Sequence, residues 1–327
     1  MIRKTAACFA AAIAFTIASI GQVPNRPHTI SSEIILETPT GKIYGTLLVP
    51  DESSPRLIAL IIAGSGPTDR DGNSVGLGEN PQTLKLLAEG LANKGIASLR
   101  YDKRSVAKSA AARLPTNSFD TQVDDAASWV DLLARDKRFD SIALIGHSEG
   151  GTIGTLATQR GHVSALVSLS AAGKVFDQVL IEQFEAAVHA KKLPAAVLEA
   201  AKPIFQELKA GRTVTTRPAA IPGELWTGLF QPRAQEYLIS LFKYDPIGEM
   251  EKLVAKGVRV LVVQGTADEM GGGKDPEDLA RASGTKPLLI TGMMHELRLK
   301  GKDQLAPSLM EAIAGFLLEK ASATDPR

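Results

Sequence analysis

Ser141-Ile-Ala-Leu-Ile-Gly-His-Ser-Glu-Gly-Gly151 is the stretch that decides the fold. Its uncharged run 141–146 reads as a strand buried on both faces, and 152–159 reads as a helix continuing from it. Between them, Gly146-x-Ser148-x-Gly150 fits a strand-to-helix turn that carries a reactive serine. The spacing has a steric cause. The turn is so tight that side chains two residues before and after the serine would strike the neighbouring strand and helix, so both positions are glycine. Gly151 relieves the crowding further. Such a turn lifts the Ser148 hydroxyl above the sheet edge and aims a helix N-terminus at it.

Apolar runs and amphipathic stretches alternate on both sides of this turn. Glu33–Glu37 and Lys42–Val49 read as an opening hairpin turning near Gly41. Leu57–Ala63, Ile96–Tyr101, Val163–Leu169, Val258–Val263 and Lys286–Ile290 read as further strands. Helical spacing is expected over Pro81–Lys94, Asp120–Arg135, Pro276–Ala282 and Ala306–Lys320. This rhythm predicts an α/β protein with a mostly parallel sheet of about eight strands, flanked by helices. It breaks between Lys174 and Lys256, which hold no convincing strand. Helices are expected there over Phe176–Ala190, Pro194–Ala210 and Arg233–Phe242, with a looser stretch punctuated by Pro218, Pro222 and Pro232. The expected organisation is therefore a core of residues 33–173 and 257–322, with a helical cap, 174–256, inserted into it.

A serine hydroxyl is a poor nucleophile without a base. His28 precedes the fold, and His147, inside the turn, is expected to point away from the hydroxyl. His162 falls at a helix-to-strand connection and His189 in the first inserted helix. His295 follows the strand 286–290, in a loop at the carboxyl end of a late strand, where such sheets present their chemistry. It is the expected base. The acid is expected from the loop after 258–263, where Asp268 would hold the imidazole in the correct tautomer. Glu269 and Asp275 lie close by, and Asp275 better fits the N-cap of the helix near Pro276. The glycine-rich turn Gly64-Ser65-Gly66 after strand 57–63 is the expected source of one oxyanion donor, the Ser65 N–H. The residue after the nucleophile, Glu149, supplies the second.

The 327 residues are 44% hydrophobic, enough for a sizeable core. The net charge of +1 and the lack of a basic patch argue against a nucleic-acid partner. The single cysteine, Cys8, excludes an intramolecular disulfide and a cysteine-rich zinc site. Arg3 and Lys4 precede an uncharged run, Ala6–Ile20, and small residues follow it. At about 15 residues this run is short against the roughly 20 of a bilayer span. The pattern is that of a signal peptide over 1–21, which implies a periplasmic or secreted protein with no integral membrane segment after cleavage.

GHSEGG at 146–151, AGSGPTDRDGN at 63–73 and LRYDKR at 99–104 together resemble bacterial α/β-hydrolases of the esterase, dienelactone-hydrolase-like and serine-aminopeptidase-like groups. The resemblance covers about residues 33–320. It implies the α/β-hydrolase fold, maps the family's serine, acid and histidine onto Ser148, Asp268 and His295, and maps its oxyanion donor onto Ser65. It implies no metal and no organic cofactor. One departure is local: relatives continue LRYDKR as a glycine-rich turn, and here the chain reads Ser105-Val-Ala-Lys-Ser109.

The expected activity is hydrolysis of a small-molecule acyl ester through an acyl-enzyme on Ser148. A peptidase or amidase with the same triad is the enzyme alternative, with Glu182, Glu185 or Glu224 available to hold a free amine. A non-catalytic binding protein on the same fold is the alternative from another class. Arg104 is a candidate for a substrate carboxylate, though a salt-bridge network among Asp69, Arg70, Asp71 and Arg104 is the reading the sequence favours. Trp226 and Phe230, with Tyr237 and Phe242, are candidates for apolar substrate walls or for ordinary core.

Overall fold

The computed structural model describes residues 28–51, 55–74, 80–114, 116, 118–271 and 273–319. The expected signal segment, 1–21, lies outside the described residues. The opening hairpin is β1 (Thr29–Thr38) and β2 (Gly41–Pro50), followed by β3 (Leu57–Ile62), β4 (Ala97–Tyr101), β5 (Ser141–His147) and β6 (Ala165–Leu169). Late in the chain come β7 (Arg259–Gly265) and β8 (Leu288–Ile290). They form one eight-stranded sheet in the order β1-β2-β4-β3-β5-β6-β7-β8. β2 is antiparallel to both of its neighbours, and every later pairing is parallel.

Strand alternation distributes the core. Ile58, Leu60 and Ile62 of β3 face one apolar layer, and Ala59 and Ile61 with Ala63 face the other. α1 (Thr83–Ala92) and α10 (Pro307–Leu318) cover the second face with Leu84, Leu87, Leu91, Leu309 and Ile313. α2 (Phe119–Ala134), α3 (Glu149–Thr158) and α9 (Asp275–Ala282) cover the first. There the fully buried Trp129 lies 5.7 Å from the Tyr101 ring. α2 starts where Ser118 Oγ accepts the Asp120 N–H at 3.2 Å, satisfying one orphan donor of its first turn.

Five helices fill the interval between β6 and β7: α4 (Phe176–His189), α5 (Ala195–Lys209), α6 (Gly223–Leu229), α7 (Pro232–Leu241) and α8 (Pro246–Val254). α4, α5 and α7 fall where helical spacing predicts them. α6 lies in the stretch read as loose and α8 in one for which no element is expected, and both begin at proline: α6 after Pro222, α8 on Pro246, with the Asp245 carboxylate accepting the Ile247 N–H at 3.1 Å. That is a legible start signal. The inserted helices hold their own apolar cluster around Phe205, 5.7 Å from Phe184 and 5.6 Å from Phe230. α8 does not share it. Its Met250 and Leu253 pack into the layer under the sheet, so the separate helical layer ends before residue 246.

The winding reverses at β3, which pairs with β4 on one side and β5 on the other. In an open parallel sheet the crevice outside the carboxyl ends of such strands is the place for a ligand. Among the described residues no helix is long and apolar enough to cross a membrane.

Candidate active site

β5 ends at His147 and α3 begins at Glu149, so Ser148 alone makes the turn, at φ 54° and ψ −125°. A non-glycine residue there costs of order 1–3 kcal/mol. The cost is tolerated because Ser148 N–H donates to Leu169 O at 2.8 Å and Gly151 N–H to Ser148 O at 2.9 Å. The flanking glycines are obligatory: a Cβ on Gly146 would lie 2.1 Å from Gly150 O, and one on Gly150 2.4 Å from Ile62 O.

Beside this turn, His295 Nδ1 lies 3.0 and 3.1 Å from the two carboxylate oxygens of Asp268. The Asp268 side chain is wholly buried. Its oxygens also accept from Gln264 Nε2 at 2.8 Å and from the Met270 and Gly271 amides at 2.9 and 3.1 Å. Burial pushes this carboxyl's pKa up. The His295 hydrogen bond and charge and the two backbone amides outweigh it, so the pKa falls below the ordinary value and the group is an anion. Because Asp268 engages Nδ1, the proton belongs on Nδ1, and Nε2 is left as the acceptor. The two loops meet through Gly265, where a Cβ would lie 2.0 Å from Met293 O, and Ala267 N–H donates to that same oxygen at 3.0 Å.

Of the neighbouring acids, Glu269 is exposed. Asp275 is not the N-cap of α9, a position held by Lys274. Its buried carboxylate instead takes an ion pair from Lys174 at 3.0 Å. His147 lines the same cleft as Ser148 and His295. Its ring packs 5.0 Å from that of His295, and its Nε2–H donates to the His295 carbonyl at 2.8 Å. Burial, then the nearby His295, pulls its pKa down to about 4, so it is neutral near pH 7.

At the end of β3, Gly64 presses on the elbow: a Cβ there would lie 3.0 Å from Ser148 Cβ. The Ser65 and Glu149 amides donate no hydrogen bond among the described residues, as open donors should. Glu149 is the first residue of α3, where the backbone N–H has no partner within the helix. The Glu149 side chain is buried, and its Oε2 accepts from Ser65 Oγ at 3.2 Å. Ser65, Ser148, Glu149 and His295 line one cleft of about 780 Å³. Phe176, Val179 and Ala186 of α4 line it from above, with Leu241, Tyr244 and Pro246.

A sequence profile of the family described as "Serine aminopeptidase, S33" matches residues 74–299, well over half of the chain. The chain belongs to this family. It is an esterase-like α/β-hydrolase. It is 25% identical over 268 residues to Esterase EstD of Thermotoga maritima, a match that takes in 80% of this chain. The chain spans only 60% of that relative's length. Solved structures share the fold. Est1E from Butyrivibrio proteoclasticus superposes with a TM-score of 0.59 at 19% identity, over 87% of this chain and 98% of the other. The α/β-hydrolase GrgF from Penicillium sp. sh18 superposes at 0.57 with 17% identity, over 88% and 98%.

Three candidates stand apart from the cleft of this α/β-hydrolase. Arg104 turns to α2, where its guanidinium makes two 2.6 Å hydrogen bonds to Asp125 and a third, at 2.7 Å, to Thr40 Oγ1. Phe230 is wholly buried in the core of the inserted helices, and Trp226 packs 5.8 Å from it. Arg70 pairs with Asp102 at 2.7 Å and Arg100 with Asp71 at 2.9 Å, pinning the loop after β3. The aromatics that reach the cleft, Phe176 and Tyr244, were not singled out by sequence. Their signal was position: one opens the first inserted helix, and the other sits just before the Asp245-Pro246 helix start. Among the described residues no group of three or more His, Cys, Asp or Glu is placed to hold a metal ion.

Proposed function

We propose that this hydrolase is a serine carboxylesterase. The observation that carries the reading is the buried Asp268 carboxylate held on His295 Nδ1, in the cleft that the strained Ser148 also lines. In this reading His295 Nε2 takes the proton from the Ser148 hydroxyl as Oγ attacks the ester carbonyl. The carbonyl oxygen becomes an oxyanion and accepts from the Ser65 and Glu149 amides. His295 then protonates the departing alcohol. Water, activated by the same imidazole, hydrolyses the acyl-enzyme and restores Ser148. Asp268 stays ionised throughout and stabilises the imidazolium.

The inserted helices act as a cap that sets substrate size. A cleft of about 780 Å³ suits a small or medium acyl ester, and Phe176, Val179, Leu241 and Tyr244 give the acyl chain apolar walls. The relatives named as esterases support the same substrate class. The test is hydrolysis of p-nitrophenyl esters from acetate to octanoate by wild type and Ser148→Ala. Turnover by wild type with a fall of roughly 10³-fold or more in the variant supports the reading. Turnover independent of Ser148, or none at all, overturns it.

The family's description favours a second reading, an aminopeptidase. Glu182, a candidate for holding the free amine, lines the cleft but its carboxylate is taken by Lys174 at 2.8 Å. Glu185 and Glu224 do not line it. Aminoacyl p-nitroanilides hydrolysed faster than the esters would put the peptidase first. Export to the periplasm or medium rests on the basic, apolar and small-residue order of the first twenty-one residues. An N-terminus of the mature protein that retains Met1 would overturn it.

A further inference from the structure

LRYDKR contains a lysine that the proposed mechanism leaves unused. Lys103 follows β4 and is almost completely buried, its side chain 8% exposed beside that of Glu149 at 3%. Burying an ammonium costs several kcal/mol unless specific partners receive it. The two partners here are unequal. The Lys103 ammonium donates to the Gly64 carbonyl at 2.5 Å and lies 3.5 Å from Glu149 Oε1. The nearer partner is a backbone oxygen of the turn that presses on the nucleophile.

A peptide group is planar, and in the trans form its C=O and N–H point in opposite directions. The Gly64 carbonyl and the Ser65 N–H belong to one such plane. A cation that fixes the carbonyl therefore fixes the opposite direction of the N–H. It also draws electron density through the amide and makes that N–H a stronger donor. We propose that Lys103 is the positioning residue of the oxyanion site, with its ammonium orienting and polarising the Gly64–Ser65 peptide whose N–H receives the developing charge. The inference rests on Ser148 being the nucleophile.

The surroundings fit this role. Glu149 neutralises the buried cation and is itself held: Tyr237 donates its hydroxyl proton to Oε1 at 2.7 Å, and Gln122 Nε2 donates to the Tyr237 oxygen at 2.9 Å. Burial, then the charge of Glu149, raises the Tyr237 pKa well above the ordinary value, so that hydroxyl stays a donor. Ser65 Oγ on Glu149 Oε2 gives the loop a second anchor. Thus the side chain of the residue that offers one oxyanion amide balances the cation that orients the other.

The test uses p-nitrophenyl butyrate with wild type, Ser148→Ala, Lys103→Met and the double variant Lys103→Met/Glu149→Gln, each also followed by thermal unfolding. Lys103→Met should lower kcat by about 10²-fold or more, the scale of losing one oxyanion donor, with KM within about threefold of wild type. The double variant removes both buried charges and nearly keeps their shapes. It should melt closer to wild type than the single variant while kcat stays low. Recovery of kcat in the double variant to within threefold of wild type would overturn the inference, because a merely structural ion pair is dispensable once both charges go. So would unchanged kcat in Lys103→Met, a rise in KM alone, or failure of both variants to fold. If wild-type turnover does not depend on Ser148, the esterase reading fails and this inference falls with it. If turnover depends on Ser148 but not on Lys103, only this inference falls.

Discussion

Asp268→Asn changes one atom in a site whose hydrogen bonds can be followed to the end. Oδ1 accepts from two backbone amides, Met270 and Gly271, which cannot turn around. Oδ2 accepts from the side-chain amide of Gln264, which can flip to present its oxygen. The new NH2 therefore takes the Oδ2 position, since facing it to two fixed N–H groups would cost about 1–3 kcal/mol for the buried donors left unpaired. From there it points a proton at His295 Nδ1, 3.0 Å from the present Oδ2. The imidazole answers by carrying its own proton on Nε2, the atom that should receive the Ser148 proton. The fold survives, and the base is in the wrong tautomer. The expected loss in kcat is about 10³–10⁴-fold, or about 4–5 kcal/mol of barrier, the scale known for a triad aspartate. The assay is steady-state turnover of p-nitrophenyl butyrate beside a thermal melt, with Glu269→Gln as the control. The control should stay within about threefold of wild type, because Glu269, at the exposed rim of the cleft, is not among the hydrogen-bond partners of the Asp268 carboxylate or the His295 ring. A natively folded Asp268→Asn that retains kcat within tenfold would refute this reasoning and move the acid elsewhere.

Gly265→Ala should lower kcat by about 10²-fold, because its Cβ would displace the Met293 carbonyl and with it the loop that carries His295; stopped-flow or steady-state ester hydrolysis would show it. Arg104→Ala should leave KM for short esters within about twofold but destabilise the protein by about 3–5 kcal/mol in urea, since Asp125 would be left buried and unpaired. Stability should also fall with acid through His147. Its folded pKa, about 4, lies below the ordinary 6.5, so the unfolded chain takes up the proton first as pH drops. The contribution is complete above pH 6.5 and drains away toward pH 4, by up to about 3 kcal/mol. Urea unfolding at pH 7.5 and 4.5 should therefore show a smaller difference for His147→Gln than for wild type. Ala107→Gly should raise the melting temperature by about 1–3 °C, because Ala107 sits at φ 44°, where a Cβ costs more than the extra backbone entropy of glycine.

What could be read from sequence and what could not divide along a physical line. Strands 57–63 and 141–146 were legible because a strand buried on both faces must be apolar throughout. The elbow was legible because only glycine fits at 146 and 150. These are constraints of the backbone on its own neighbours. The directions of Phe176, Tyr244 and Lys103 were not legible, since each is set by partners brought close only by folding: the Gly64 oxygen that receives Lys103 is 39 residues away, and the Asp120 carboxylate that receives Tyr244 is 124. The aromatics of the inserted helices show the same limit. The break in the strand rhythm puts Trp226 and Phe230 in the insert, within its looser stretch, but cannot say whether they turn toward the cleft or toward Phe205. The turn after LRYDKR shows that even backbone rules can be overruled from a distance. Without glycines, Ser105-Val-Ala argues against left-handed backbone, yet Ser105 and Ala107 adopt φ of 64° and 44°. Asp102, fixed by Arg70, accepts the Lys108 N–H at 3.2 Å, and Ser109 Oγ accepts the Tyr44 N–H at 2.9 Å while its carbonyl accepts the Ser105 N–H at 3.1 Å. Tertiary hydrogen bonds thus hold in place a conformation that glycine would adopt with less strain. The turn begins just after Lys103, whose carbonyl accepts the Val106 N–H at 3.2 Å, so the strain lies beside the residue of the proposed oxyanion support.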